Sequence, residues 1–91
     1  MNIKIKIAPI LQDNCRLPAE TDVTGNTIGE CLDDLIRQYP EAKSQLFNMN
    51  GMPTVFASIN DDITLTPNTG DLDRTVKEDD VLHLFAIIAG G

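Results

Sequence analysis

Ninety-one residues provide for one domain with a single, modest core, because small domains leave much of their surface wet. A hydrophobic share of 42% with 23% charged residues suits a soluble globular fold and argues against disorder. Fourteen acids against seven bases give a net charge of -7, which repels phosphate backbones and argues against a nucleic-acid partner.

Other classes fall away on the same grounds. No apolar run approaches the roughly 20 residues that cross a bilayer, so no membrane association is expected. Residues 1–7 alternate apolar and basic side chains, unlike the continuous apolar segment of a signal peptide. Cys15 and Cys31 are too few for a disulfide scaffold or a zinc site. The one histidine, His83, has no clustered ligands for a metal centre. A reduced, cytoplasmic protein is the expectation.

In chain order, Ile3, Ile5 and Ile7 alternate with Asn2, Lys4 and Lys6, the period of a strand, and Pro9 closes it. Residues 10–17 read as a loop or irregular hairpin. Residues 19–23 read as a short return strand, closed by the turn chemistry of Thr24-Gly25-Asn26. Thr27 with Glu30 three positions on forms a capping box, which predicts a helix start. Ile28, Leu32, Leu35, Ile36 and Tyr39 make its apolar stripe, and Glu30, Asp33, Asp34 and Arg37 its polar face. Cys31 lies beside the stripe as a small core-edge hydrophobe, and Pro40 ends the helix.

Residues 42–47 add a second, short helical turn. Residues 48–53 are a breaker-rich loop. Residues 54–60 read as a strand, Asp61-Asp62 as its hairpin turn and Ile63-Thr64-Leu65 as the return. A further loop spans residues 67–71. The acidic turn Glu78-Asp79-Asp80 leads into a last strand over residues 81–88. The expected fold is α+β: a mixed sheet of four to five strands with one main helix packed on one face and the other face toward solvent.

Catalytic constellations are missing. The adjacent acids Asp33-Asp34 and Asp61-Asp62 diverge on a helix or strand and read as solvated. A pair between Cys31 and His83 lacks a third, orienting group. The informative feature is the ending, Ala89-Gly90-Gly91, reached from an apolar strand without a polar spacer. Without side chains, Gly90 and Gly91 fit a channel too narrow for other residues, and present a carboxylate that another enzyme can grasp. A frayed tail of small residues is the bland alternative.

These residues carry a resemblance. The full length resembles the ubiquitin-like β-grasp proteins, and among them the sulfur carriers typified by ThiS, MoaD and CysO. It rests on the alternating first strand, the capped helix ending near Tyr39-Pro40, and the Ser58-Ile59-Asn60-Asp61 hairpin. It rests further on Lys77-Glu78-Asp79-Asp80-Val81 before the final strand and on the terminal Ala89-Gly90-Gly91. Leu82-His83-Leu84, five residues and Gly-Gly are similar to the end of ubiquitin itself. Two departures stand out. Ala86 and Ile87 replace a proline common in molybdopterin- and cysteine-type carriers. Ala89 replaces ubiquitin's basic residue, which favours a sulfur carrier over a eukaryotic-style modifier.

The resemblance implies one β-grasp domain over residues 1–91 with a flexible C-terminal Gly-Gly tail. It implies a carrier protein rather than an enzyme. An ATP-dependent adenylyltransferase of the ubiquitin-activating type adenylates Gly91. A cysteine desulfurase or rhodanese-like donor supplies persulfide sulfur, and the resulting thiocarboxylate serves an acceptor synthase in molybdopterin, thiamine or cysteine biosynthesis. The chain is then the adenylyltransferase's substrate, or the small subunit of a molybdopterin-synthase-like complex. No cofactor is held stably, and ATP belongs to the partner. If Leu82 and Leu84 face the helix, then His83, Phe85 and Ile87 line the open face and, with Ala89 and Gly90, contact partners, unless a loop covers Phe85. The acidic charge is expected to steer the carrier toward basic surfaces. A lysine-conjugated protein modifier and a non-catalytic β-grasp binding module are the alternatives.

Overall fold

The computed structural model describes residues 2–47, 49, 54–66, 69–70 and 72–86. The isoleucine alternation forms strand β1 (Asn2–Ile7), with Ile3, Ile5 and Ile7 buried and Asn2, Lys4 and Lys6 exposed. The segment expected as a loop is instead a helix, α1 (Pro9–Cys15). Pro9 sits at its first turn, where the missing N–H is no loss, and Arg16 closes it in the left-handed region at φ 56°. Leu11 and Cys15, four residues apart, enter the core together, a spacing too short to register as a helical period.

The return strand β2 (Glu20–Thr24) pairs antiparallel with β1. Gly25 follows, and a Cβ there would lie 2.7 Å from the backbone nitrogen of Cys31, so only glycine lets this connection pass the start of the next helix. That helix, α2 (Ile28–Gln38), begins as its capping residues dictate: the Glu30 N–H donates to Thr27 Oγ1 at 3.2 Å. The reciprocal bond is shifted by one residue, because Glu30 Oε1 accepts from the Asn26 N–H. A 3-10 turn (Pro40–Ala42) and the short helix α3 (Lys43–Leu46) supply the expected second helical turn.

Strand β3 (Phe56–Ile59) turns through Asn60 and Asp61, both at positive φ, into β4 (Asp62–Thr66). Two consecutive positive-φ residues suit a tight hairpin whose twist matches its strands. Thr69 and Gly70, expected in a loop, form a two-residue strand β5 against Leu65 and Thr66. The acidic turn is present: Asp80 accepts from the Lys77 N–H and from Asn60 Nδ2, tying it to the β3–β4 hairpin. Strand β6 (Val81–Phe85) follows. Residues 48, 50–53, 67–68, 71 and 87–91 lie outside the described residues, and with them most of the expected 48–53 loop, the end of the last strand and the Gly-Gly tail.

The sheet order is β2-β1-β6-β3-β4-β5, with β1 and β6 parallel and the remaining pairs antiparallel. The fold is α+β with a mixed sheet, as expected, and β5 is its minor extension. One core gathers Ile3, Ile5, Leu82 and Leu84 from the central strands with Ile28, Leu32 and Leu35 from α2. Cys31 belongs to that core at 0% exposure, deeper than the edge position expected.

Asp34 departs furthest from expectation. It is buried, where the sequence pattern placed it on the wet face. Its carboxylate accepts from the Thr24 N–H and from Gln38 Nε2, both at 3.0 Å, and pairs with Arg37. Gln38 Nε2 also donates to the Asp22 carbonyl. Two side chains of α2 thus occupy backbone groups of the edge strand β2 that a foreign strand would otherwise pair with. The helical wheel missed this because β2, not solvent, lies beside that face.

Candidate functional site: the open face of the sheet

The face of the sheet away from α2 is built by the residues that alternate with the core. On β6, Leu82 and Leu84 are buried, so Val81, His83 and Phe85 point outward; His83 is exposed and the other two half-buried. On β3, Ala57 and Ile59 are buried, so Phe56 and Ser58 point outward. Lys4 and Lys6 do the same on β1.

Cross-strand register assembles them. Phe56 stands opposite Phe85, and their rings stack with centroids 5.4 Å apart and planes 20° from parallel. Phe85 is therefore flanked by a neighbour on its own face. Ser58 stands opposite both His83 and Ile63, and Ile63 is 60% exposed. Lys6 stands opposite His83 on the other side. A shallow depression opens among Lys6, Ser58, Asp61, His83 and Phe85.

The pairing of Cys31 with His83 is ruled out by the architecture. Cys31 is buried on the helix side and His83 is exposed on the opposite face, with the sheet between them. Burial pushes the thiols of both Cys15 and Cys31 up from their ordinary values, which keeps them protonated and unreactive. Asp61 in the β3–β4 turn and Asp62 at the start of β4 are exposed, the turn lying one residue earlier than the expected Asp61-Asp62. Among the described residues no group of three or more His, Cys, Asp or Glu side chains is placed to hold a metal ion. No helix among them is long and apolar enough to cross a membrane.

Of the residues singled out from sequence, His83 and Phe85 are brought together on one face, while Ile87, Ala89, Gly90 and Gly91 lie outside the described residues. Sequence reading missed Phe56, Ile63, Lys4 and Lys6 as parts of this face. Alternation within β3 signals that Phe56 and Ser58 share a side, but only strand order brings them to β6.

No protein-family model and no curated protein matches the chain. Solved structures do. Small archaeal modifier protein 1 of Haloferax volcanii aligns over 100% of both chains with a TM-score of 0.83 at 21% identity. CysO in the Amycolatopsis orientalis BexX/CysO complex covers 98% of this chain and 99% of its own, with a TM-score of 0.77 at 22% identity. The Helicobacter pylori complex of subunits 1 and 2 of molybdopterin-converting factor gives 0.62 at 20%, with 100% of both chains covered. Across identities this low, the likeness is one of architecture, and by it the chain has the ubiquitin-like β-grasp fold of these neighbours.

Proposed function

We propose that this protein is a sulfur carrier whose Gly91 carboxylate becomes a thiocarboxylate. The observation that carries the reading is the combination of a β-grasp fold matched end to end by CysO and by modifier and molybdopterin-converting proteins with a sequence closing on Ala89-Gly90-Gly91. Supporting it, β6 is held between β1 and β3 at the centre of the sheet, so the residues leading to Gly91 start from a firmly anchored strand.

A carboxylate is a poor electrophile. An adenylyltransferase of the ubiquitin-activating type transfers AMP from ATP to Gly91 with loss of pyrophosphate, leaving an acyl-adenylate. A persulfide from a cysteine desulfurase or rhodanese-like donor attacks the carbonyl and expels AMP. Reduction of the resulting S–S bond by a thiol frees the thiocarboxylate for an acceptor synthase. Catalysis resides in the partners, ATP is theirs, and this chain holds no cofactor of its own. Gly90 and Ala89 give the slender approach to their active sites, and His83, Phe85 and Ile87 meet their surfaces. The reading places the protein in the cytoplasm, where Cys15 and Cys31 stay reduced.

The similarity to small archaeal modifier protein 1 favours a second reading, conjugation to lysines through Gly91. Intact-mass measurement after co-expression with the adenylyltransferase and sulfur donor decides between them. The mass gain of sulfur replacing one oxygen, abolished by deleting Gly91, is the expected result. Glycine-glycine remnants on lysines of other proteins, without that gain, support the modifier. An unchanged mass together with full activity after deletion of Gly91 leaves a plain binding module.

A further inference from the structure

The helix side of the molecule carries a groove that the docking role of the open face leaves unused. Its volume is about 960 Å³, and α2 and α3 form its sides. Gly29, Asp33 and Ile36 line it from α2, spaced four and three residues apart and so on one helix face. Phe47 lines it from the end of α3. Leu72 adds another wall. The Gly29 N–H donates to the Leu72 carbonyl at 2.8 Å, and a Cβ at Gly29 would lie 3.1 Å from that oxygen, so the missing side chain permits the close approach. Ile36, Phe47 and Leu72 are half-buried: each packs on the core and also faces the groove.

Met49 lines the same groove and is fully exposed, more so than Ile63 on the open face. A small ligand seated in the groove would leave Met49 in water, whereas a protein surface laid over it would cover both. The charges on the rim indicate which protein. Asp33 on α2 and Lys43 on α3 are exposed, and neither is in an ion pair among the described residues. Glu41 also lines the groove, but Arg16 engages it at 3.7 Å. The rim is therefore balanced, although the chain as a whole carries -7. A uniformly basic partner would gain at Asp33 and lose at Lys43. A surface with a projecting methionine, an apolar groove, an acid and a base is complementary to itself.

We propose that a second copy of this chain occupies the groove, in a two-fold pair. Met49 of each copy enters the groove of the other against Ile36, Phe47 and Leu72, and Asp33 of each copy meets Lys43 of the other. A flexible thioether suits this role, because it fills an irregular apolar space without a fixed shape. Repulsion between two acidic chains keeps the pair weak and dependent on concentration. The pair leaves β6 and the open face uncovered, so it is independent of the chemistry proposed at Gly91.

The test is sedimentation equilibrium of the full chain from about 10 μM to about 1 mM, in about 0.15 M salt, where charges more than about 8 Å apart are largely screened. A monomer–dimer equilibrium is expected in that range. Symmetry makes every substitution count twice, so Met49→Asp is expected to raise the dimer Kd by about a hundredfold. Asp33→Lys and Lys43→Asp should each raise it by about tenfold, and the two together should restore most of the wild-type value. Ile63→Ser, on the open face, leaves it unaltered. All four positions are exposed, and thermal melts of each variant separate a folding defect from a loss of pairing. The single charge variants shift net charge in opposite directions. If Asp33→Lys tightens the dimer while Lys43→Asp loosens it, overall repulsion governs association and the groove contact is wrong. A dimer that survives Met49→Asp but not Ile63→Ser moves the interface to the open face and overturns the pairing. A chain that stays monomeric throughout overturns it as well, and weaker adenylyltransferase binding by Met49→Asp would then give the groove to that partner instead. None of these outcomes alters the mass measurement that decides the carrier reading.

Discussion

The two faces of the central strands are made from alternate residues of the same chain, and they answer to different requirements. The inner face, Ile3, Ile5, Ala57, Ile59, Leu82 and Leu84, is nearly dry and is selected by volume. The outer face carries an aromatic pair, a histidine, two lysines and two acids set out by register across four strands. Substitution on the first should therefore cost stability, and on the second should cost recognition.

The largest effect is expected inside. Leu82→Ala, in the middle of β6 under α2, should destabilise the fold by about 2–5 kcal/mol, measured by urea titration. A loss below about 1 kcal/mol would mean the inner face is not the close-packed core described here. Next comes Asp34→Ala. It leaves the Thr24 N–H without its acceptor and releases Gln38 and Arg37, for a loss of about 1–3 kcal/mol. It also uncovers the β2 edge, so concentration-dependent association in sizing chromatography should accompany it.

Phe85→Ala tests the outer face. Half-buried and stacked on Phe56, it should cost at most about 1 kcal/mol of stability while weakening adenylyltransferase binding by about tenfold or more. A stability loss rivalling that of Leu82→Ala would erase the distinction between the faces.

The smallest effect concerns the thiols. Burial raises the folded-state values of Cys15 and Cys31 above their unfolded ones, so the native state favours the neutral thiol. Their contribution is fully present below about pH 8.5 and is lost as pH climbs through the folded values. Urea midpoints should fall over that alkaline range, and native protein should react with a disulfide reagent far more slowly than denatured protein. Equal rates would place the thiols on the surface.

Legibility from sequence followed range. The β1 alternation and the Thr27–Glu30 cap are local signals, and both were realised because nothing distant opposes them. The helix α1 was missed because seven residues that bury Leu11 and Cys15 give no countable period. The two-residue β5 was missed because its existence depends on a neighbouring strand rather than on its own residues. Asp34 was misplaced for a related reason: a wheel separates apolar from polar positions but does not show which polar position faces another backbone.

By itself, the sequence determined the class of the molecule. An acidic chain of 91 residues with an alternating first strand and one capped helix reads as a small α+β domain. These features persist whatever surrounds them, because capping, alternation and side-chain size act over a few bonds. Tertiary structure decided how the charges are used. Only the parallel pairing of β6 with β1 brings Lys6 beside His83, only the antiparallel pairing with β3 stacks Phe56 on Phe85, and only the packing of α2 against β2 buries Asp34. Contacts between residues dozens of positions apart are fixed by strand order and register, which no local pattern encodes.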